Sequence, residues 1–300
     1  MKLLLLGSNG QVGWELQRSM AALGKLKACD RSTLDFIDLD EMRKLIRDYK
    51  PDVIVNAAAY TDVDKAESDE ENAFQVNSRA VDLLAQEAKV LDAWLIHYST
   101  DYVFDGAKIG PYIEEDKTNP LSVYGKTKLQ GEEAIKKSKC KYLIFRTSWL
   151  FGVHGKNFFK TIIKLAKERD ELRVVSNQIG APTSAELVAD VTSLCLYRVA
   201  LNSHSSKEIS GIYHLTATGK ASWYDFAKYV IIEAKKFGGV FLTNPENIIA
   251  INASEYVLPA KRPANSLLDT QKLCKTFNLQ LPAWQIHADR VIKQLYLRGI

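Results

Sequence analysis

The feature that most constrains the fold is a run of four leucines, Leu3 to Leu6, followed at once by the glycine-rich segment Gly7 to Gly13. A short apolar run that ends in glycine is typical of a fully buried strand. The next apolar positions have the period of a helix: Trp14, Leu16, Met20 and Leu23. Strand, glycine turn and helix together predict an α/β unit whose helix N-terminus can hold a diphosphate.

The glycine spacing, Gly7-x-x-Gly10-x-x-Gly13, differs from the G-x-G-x-x-G fingerprint of ordinary dinucleotide-binding dehydrogenases. A second apolar run ends at Asp30, about 20 residues after the first glycine, where an acidic side chain can bind ribose hydroxyls. Arg31 could instead accept a 2′-phosphate, so both NADH and NADPH stay open as the cofactor. The alternative is a glycine turn with a capping aspartate and no ligand.

Further apolar runs alternate with helical patterns and predict strands at residues 53–55, 93–98, 142–145, 172–175 and 212–215. This rhythm predicts an α/β fold, a Rossmann-type doubly wound parallel sheet with a smaller mixed α/β C-terminal substrate lobe. We assign residues 1–150 and roughly 172–220 to the dinucleotide-binding domain. The substrate-binding lobe takes roughly 151–171 and 221–300.

A candidate proton-transfer site follows the strand at 93–98 and combines Thr100 with Tyr124 and Lys128. Residues i and i+4 share a helix face, so we expect Lys128 to lie beside Tyr124 and to favour the ionised phenol. Thr100 could hydrogen-bond the same reacting oxygen. With 13 tyrosines in the chain, one chance match to this spacing is expected, and a second match exists at Tyr224 and Lys228. We favour the first pair because it follows a strand end, and interpret the second as a solvated helix face.

Composition and charge exclude several classes of function. The formal charge of +4 is spread along the chain, which gives no reason to expect a nucleic-acid partner. No apolar stretch approaches the length of a membrane span, and four widely spaced cysteines favour reduced thiols in the cytoplasm. Five histidines show no metal-ligand spacing and are interpreted as structural: His97, His154, His204, His214 and His287.

Two further positions leave alternatives open. Trp149 follows the predicted strand at 142–145 and could stack on a base or sugar face, or pack between domains. Arg262 and Asn265 could bind a diphosphate, or belong to a basic turn between elements.

Several motifs resemble those of the extended short-chain dehydrogenase/reductases. The match includes the glycine segment, Asp30, residues 56–59, the segment His97 to Phe104, and the pair Tyr124 and Lys128. Within that family the chain is similar to reductases of a dTDP-4-dehydro sugar, through residues 63–67, 146–149, 180–183 and 262–266. The resemblance spans essentially the whole chain and implies NAD(P)H-dependent reduction of the C4 ketone of dTDP-4-dehydro-L-rhamnose to dTDP-L-rhamnose.

The resemblance also implies roles for individual residues. Tyr124 donates the proton to the C4 oxygen, Lys128 tunes Tyr124 and anchors the nicotinamide ribose, and Thr100 orients the ketone. The implied cofactor-binding residues are Gly7, Gly10, Gln11, Val12, Gly13, Asp30, Asp35, Phe36, Ala59, Tyr60, Thr61, Tyr98, Tyr124 and Lys128. The implied substrate-binding residues are Val63, Thr100, Asp101, Tyr102, Trp149, Arg262 and Asn265.

Some relatives dimerise through a magnesium ion that carboxylates hold. Glu15 and Glu186 match two of its ligands, but the third position is Gln294. A neutral amide is a weaker Mg²⁺ ligand than a carboxylate, so the chain departs from that pattern. Both a monomer and a homodimer stay open.

Two other functions remain as alternatives. One is a non-catalytic NADP-binding regulatory subunit of the same family, against which the intact Thr100, Tyr124 and Lys128 argue. The other is a different sugar-nucleotide reductase, or an epimerase or dehydratase that keeps its NAD bound and recycles it.

Overall fold

The computed structural model describes residues 1–201 and 209–297 of the chain, and His204 lies outside these ranges. In chain order, the first half contains β1 Lys2–Leu6, α1 Gln11–Ser19, β2 Lys25–Cys29, α2 Leu39–Tyr49, β3 Val53–Asn56, α3 Glu70–Phe74, α4 Ala80–Val90, β4 Trp94–Thr100, α5 Val123–Ser138 and β5 Lys141–Thr147. The second half contains β6 Leu150–Phe151, α6 Phe158–Glu168, β7 Leu172–Val175, β8 Ile179–Gly180, β9 Thr183–Ser184, α7 Ala185–Leu201, β10 Gly211–His214, β11 Ala221–Ser222, α8 Trp223–Lys236, β12 Ile248–Ile251, α9 Gln271–Phe277 and α10 Trp284–Leu297.

A six-stranded parallel sheet forms the centre of the molecule, in the order β10-β5-β4-β3-β1-β2. The order reverses at β1, which has β2 on one side and β3 on the other. In open α/β sheets, ligands bind outside the carboxyl ends of the strands at such a reversal. The predicted Rossmann-type α/β fold is therefore confirmed. Its strand order places the expected ligand-binding edge at the loops after β1 and β3.

Both faces of this sheet are covered. In β1, Leu3 and Leu5 face a core shared with α1, α7 and part of the C-terminal half, whereas Leu4 and Leu6 face a core with α2 and α4. Strands buried on both faces read as continuous apolar runs, which explains the four leucines at the start of the chain.

A smaller unit is built around two other strands. β7 pairs in parallel with β12, with Leu172 opposite Ile248, in a two-stranded sheet of its own. Helices α6 and α8 pack against each other, and their apolar residues join this sheet in one core. We therefore propose a division in which residues 172–175 belong to the C-terminal lobe, whereas α7 and β10 stay with the six-stranded sheet.

The acidic region after β3 contains a change of helix geometry. A single π-helical segment, Gln75–Arg79, separates α3 from α4. Val81 and Leu84 are buried, whereas Phe74 is only partly buried and lies under the Arg79 guanidinium. Within the part of the chain that the structure describes, no helix is both long and apolar enough to span a bilayer.

Candidate active site

The glycine loop after β1 makes a close contact with the loop after β3. Gly7 has φ +81°, and a Cβ built there would lie 2.6 Å from the Ala58 nitrogen. A Cβ on Gly13 would lie 2.0 Å from the Gly7 carbonyl oxygen. Gly10 is the N-cap of α1, and no side chain caps this helix N-terminus. The glycines therefore leave a shallow surface with free backbone N–H groups, as diphosphate binding requires.

Asp30 lies at the end of β2, beside this loop. Its carboxylate accepts hydrogen bonds from the Asn9 amide and from the Ser32 hydroxyl and backbone N–H. The bonds from Ser32 hold the pKa of Asp30 below its usual range, so the carboxylate stays ionised. Arg31 is exposed next to it.

The other predicted cofactor residues form a rim around this edge. Asp35 is exposed and accepts the Ile37 N–H, and Phe36 packs partly into the core. Tyr60 donates its hydroxyl to Asp69 at 2.9 Å, and burial raises the pKa of Tyr60 to about 12. Ala59 is partly buried and Thr61 is exposed. The Gln11 side chain accepts a hydrogen bond from the Asn157 amide, and Val12 lies in the core.

Helix α5 brings Tyr124 to the carboxyl end of β4. The Ser122 hydroxyl caps the helix by accepting the Gly125 N–H, and a Cβ on Gly125 would lie 2.3 Å from the Tyr102 carbonyl oxygen. This close approach places the first turn of α5 directly on the segment after β4. The Thr100 hydroxyl neighbours the Tyr124 phenol and acts to lower its pKa. The structure thus brings together Thr100 and Tyr124, which are far apart in the sequence.

Lys128 lies one turn further along α5 and is 2% exposed. Its Nζ donates to the Tyr98 carbonyl oxygen at 2.6 Å and lies 3.3 Å from Nε2 of His97. Burial lowers the pKa of Lys128 to about 8, and the Glu132 carboxylate opposes that shift. The hydrogen bonds of the amine therefore go to β4 rather than to the phenol.

The predicted lowering of the phenol pKa is wrong. Burial raises the pKa of Tyr124 to about 12, the neighbouring Thr100 hydroxyl opposes the shift, and the charge of Asp101 adds to it. The amine of Lys128 is engaged with β4, so burial dominates. A phenol with a raised pKa stays protonated at neutral pH, as a proton donor must.

Tyr98 was predicted to contact the cofactor, but its side chain lies within the core. Its ring belongs to the core cluster on the α7 side of the sheet, and its hydroxyl lies 2.8 Å from the Thr192 hydroxyl. Only its backbone carbonyl reaches the site, where it accepts the Lys128 hydrogen bond.

Asp101 and Tyr102 complete the edge beside the phenol. Thr100 donates its hydroxyl to Oδ1 of Asp101 at 3.1 Å, while Oδ2 is buried without a hydrogen-bond partner in the described part of the chain. Burial raises the pKa of Asp101 to about 6, and the nearby Ser266 and Thr100 side chains oppose that rise. The Tyr102 ring stands edge-on to the Tyr124 ring at 5.6 Å.

The predicted pair Arg262 and Asn265 joins the C-terminal lobe to the rim of the sheet domain. Arg262 makes two hydrogen bonds to the Asp64 carboxylate, at 3.1 and 2.7 Å, next to the partly buried Val63. Asn265 donates to the carbonyl oxygens of Lys108 and Gly110. Both side chains thus use these donors in hydrogen bonds within the protein.

Trp149 also sits between the two lobes. It has φ +49° and stacks on Trp223 of α8 at 3.5 Å between ring centroids. A Cβ on Gly180 would meet its ring at 2.5 Å. Two sides of the indole are thus occupied, which supports interdomain packing, and the ring remains partly exposed.

The two carboxylates that match magnesium ligands are engaged with cations of the chain. Glu15 accepts from Arg18 at 3.2 Å. Glu186 lies 3.4 Å from His287 and accepts from Arg290 at 2.5 Å, and these two neighbours lower the pKa of Glu186 to about 2. Among the described residues, no group of three or more His, Cys, Asp or Glu could hold a metal ion.

Sequence reasoning missed the buried polar residues behind the site. Arg146 and Glu132 form a fully buried ion pair at 2.7 Å, and the Ser99 hydroxyl donates to the same carboxylate. Asn56 and His97 are buried beside Lys128. The available signal was polarity, because His97 follows three apolar residues in β4 and buried polar groups need hydrogen-bond partners.

Comparison with known proteins decides the family. The family model described as RmlD substrate binding domain matches residues 1–297. A dTDP-4-dehydrorhamnose reductase of Escherichia coli is 48% identical over 300 residues, covering 99% of this chain and 98% of that protein. The chain belongs to the dTDP-4-dehydrorhamnose reductase family. The resemblance seen in the motifs is confirmed.

Other members of the family agree in length and in structure. A dTDP-4-dehydrorhamnose reductase of Burkholderia thailandensis is 43% identical, covering 98% of this chain and 99% of that protein. The crystal structure of such a reductase from Clostridium acetobutylicum matches with a TM-score of 0.88 at 35% identity, covering 98% of this chain and 99% of that one. A Bacillus anthracis family member, solved in complex with NADP, matches with a TM-score of 0.86 at 32% identity, with the same coverages.

Proposed function

We propose that this protein catalyses the NAD(P)H-dependent reduction of the C4 ketone of dTDP-4-dehydro-L-rhamnose to dTDP-L-rhamnose. The observation that carries the proposal is the position of the Tyr124 phenol, on the first turn of α5 and beside Thr100 at the carboxyl end of β4. Relatives of 43–48% identity over nearly the full chain are dTDP-4-dehydrorhamnose reductases, which supports this substrate over other sugar nucleotides.

The residues at the reversal of the strand order fit a dinucleotide. A side chain at Gly7 or Gly13 would collide with backbone atoms, and the shallow surface that results ends at the uncapped N-terminus of α1. We assign the diphosphate to this helix end, the adenosine ribose to Asp30, and the nicotinamide ribose to Lys128 and Tyr124. When bound, the reduced nicotinamide supplies the hydride.

The remaining chemistry is done by side chains. Tyr124 donates its proton to the C4 oxygen as the carbonyl carbon receives hydride, so one ketone, one hydride and one proton give one alcohol. Thr100 orients the phenol and the ketone oxygen, and Lys128 in its ammonium form binds ribose hydroxyls. Asp101, Tyr102, Val63, Trp149, Arg262 and Asn265 are assigned to the border of the sugar-nucleotide cleft.

The test is a steady-state assay with purified protein, dTDP-4-dehydro-L-rhamnose and either NADPH or NADH. We expect one nicotinamide oxidised for each dTDP-L-rhamnose formed, with no lag and no added metal. A protein that carries tightly bound NAD and converts the sugar without net consumption of nicotinamide would be an epimerase or dehydratase. A protein that binds NADPH and leaves the sugar unchanged would be a regulatory subunit.

A further inference from the structure

A buried chain of three polar side chains connects the cofactor loop to the catalytic lysine. Asn56 at the end of β3 is the register partner of His97 on β4, and its Nδ2 lies 3.2 Å from Nδ1 of His97. The other ring nitrogen, Nε2, lies 3.3 Å from Nζ of Lys128. His97 is 0% exposed, and Asn56 and Lys128 are 1% and 2% exposed. Water therefore does not compete for these contacts.

The orientation of Asn56 determines where His97 carries its proton. Oδ1 of Asn56 accepts the Ala58 backbone N–H at 3.2 Å, so the amide nitrogen is the atom that faces the ring. An amide NH₂ only donates, so Nδ1 of His97 must accept. Burial, aided by the nearby charge of Lys128, holds the pKa of His97 far below its usual range, so the ring is neutral. A neutral imidazole whose Nδ1 accepts has its proton on Nε2.

The N–H of His97 therefore faces the nitrogen of Lys128. An ammonium group has three donors and no lone pair, so it cannot accept this N–H. A neutral amine can donate to the Tyr98 carbonyl and accept from His97 at the same time.

We propose that His97, held in orientation by Asn56, positions the amine of Lys128 and makes its ammonium form easier to deprotonate. His97 is a positioning residue, because it acts through Lys128. The inference rests on the proposed function only for the role of Lys128 in turnover.

Other charges around Lys128 do not replace this contact. Glu132 lies on the same helix and favours the ammonium, but its carboxylate is paired with Arg146 of β5. Tyr124 on α5 is neutral at working pH, and β4 offers the Tyr98 carbonyl and His97.

The tautomer of His97 can be read directly from the cofactor-free protein by ¹⁵N NMR of the imidazole nitrogens, with His97→Gln used to assign the signal. We expect the Nε2–H form for His97. His214 is the internal control, because its Nδ1 lies 3.0 Å from the Tyr112 carbonyl oxygen and so must carry the proton. An Nδ1–H form for His97 in the wild-type protein would overturn the proposal.

Asn56→Asp provides a matched variant. A carboxylate accepts from both Ala58 and the ring, so His97 should change to the Nδ1–H form. An unchanged tautomer in this variant would mean that Asn56 does not orient the ring, and the proposal would fail.

The kinetic test uses the pH dependence of kcat/KM for NADPH in wild type and His97→Gln. In wild type we expect a fall above about pH 8, where Lys128 loses its proton. A glutamine carbonyl can accept from the ammonium, so the fall should move up by about one pH unit, a tenfold change in proton affinity. A residue that merely filled space would leave the profile in place, and an unmoved profile would refute the inference. If the wild type reduces no sugar, the proposed function fails, while the NMR measurement still tests His97.

Discussion

The chain contains the same five-residue spacing twice, and the two copies lie in very different surroundings. Lys128 is almost fully buried, with its amine 2.6 Å from the Tyr98 carbonyl. Lys228 is partly exposed, and its amine lies 3.4 Å from the hydroxyl of its own partner, Tyr224. Both pairs share a helix face, as the spacing requires. The chemistry of each pair therefore depends on what that face contacts.

The difference comes from where the two helices begin. α5 starts at the carboxyl end of the parallel sheet, packed on the segment after β4. α8 starts with a Ser222 and Asp225 capping box in the C-terminal lobe and packs against α6 and α10. Only the first helix faces the edge where α/β sheets bind ligands.

The largest expected effect comes from Tyr124→Phe. This change removes the proton donor and leaves the ring in place, so kcat should fall by about 10²- to 10⁴-fold with little loss of NADPH affinity. Steady-state kinetics and nucleotide titration measure the two quantities. Tyr224→Phe is the matched control and should keep kcat within about twofold. Equal losses in the two variants would remove the distinction between the pairs.

The second effect concerns stability and pH. The pKa of Lys128 falls from 10.5 in the unfolded chain to about 8 in the folded protein. The unfolded chain then binds more protons between these values, so this residue makes stability rise as pH increases from about 8 to 10.5. The gain should be about 3 kcal/mol, and Lys128→Met should abolish it. Urea unfolding of wild type, Lys128→Met and Lys228→Met across this range would show it.

A wild-type protein whose stability changes with pH as that of Lys128→Met does would contradict the burial of a titrating amine. Lys228→Met should follow wild type.

Sequence patterns predicted the sheet better than they predicted the electrostatics of the site. Apolar runs and glycine turns are local signals, so β1, β3, β4 and β5 were found with ends in error by a few residues. The pairing of β7 with β12 joins segments more than 70 residues apart and leaves no local signal. The direction of the phenol pKa likewise depends on burial and on where the Lys128 amine points, and neither can be read from spacing.

A third, smaller effect is expected for Lys128 in catalysis. Lys128→Met removes the ammonium that we assign to the nicotinamide ribose, and kcat/KM for NADPH should fall by about tenfold or more, the value of one charged hydrogen bond. Lys228→Met should change the same quantity by less than about twofold. Parallel assays at fixed sugar concentration measure both. Comparable losses of kcat/KM in the two variants would mean that Lys128 contributes no more to the use of NADPH than Lys228 does.

The smallest effect is expected for the second pair in folding. Its partly exposed contact at 3.4 Å should contribute less than about 0.5 kcal/mol, so Tyr224→Phe should unfold at nearly the wild-type urea concentration. A loss of 2 kcal/mol or more would show that Tyr224 has a structural role that the contact does not explain.

The most direct test of the account is a crystal structure of the protein with NADP⁺ bound. We expect the diphosphate at the N-terminus of α1, the nicotinamide beside the Tyr124 phenol, and the ribose hydroxyls within hydrogen-bonding distance of the Lys128 amine. A nicotinamide bound away from these two side chains, or beside Tyr224 and Lys228, would contradict it.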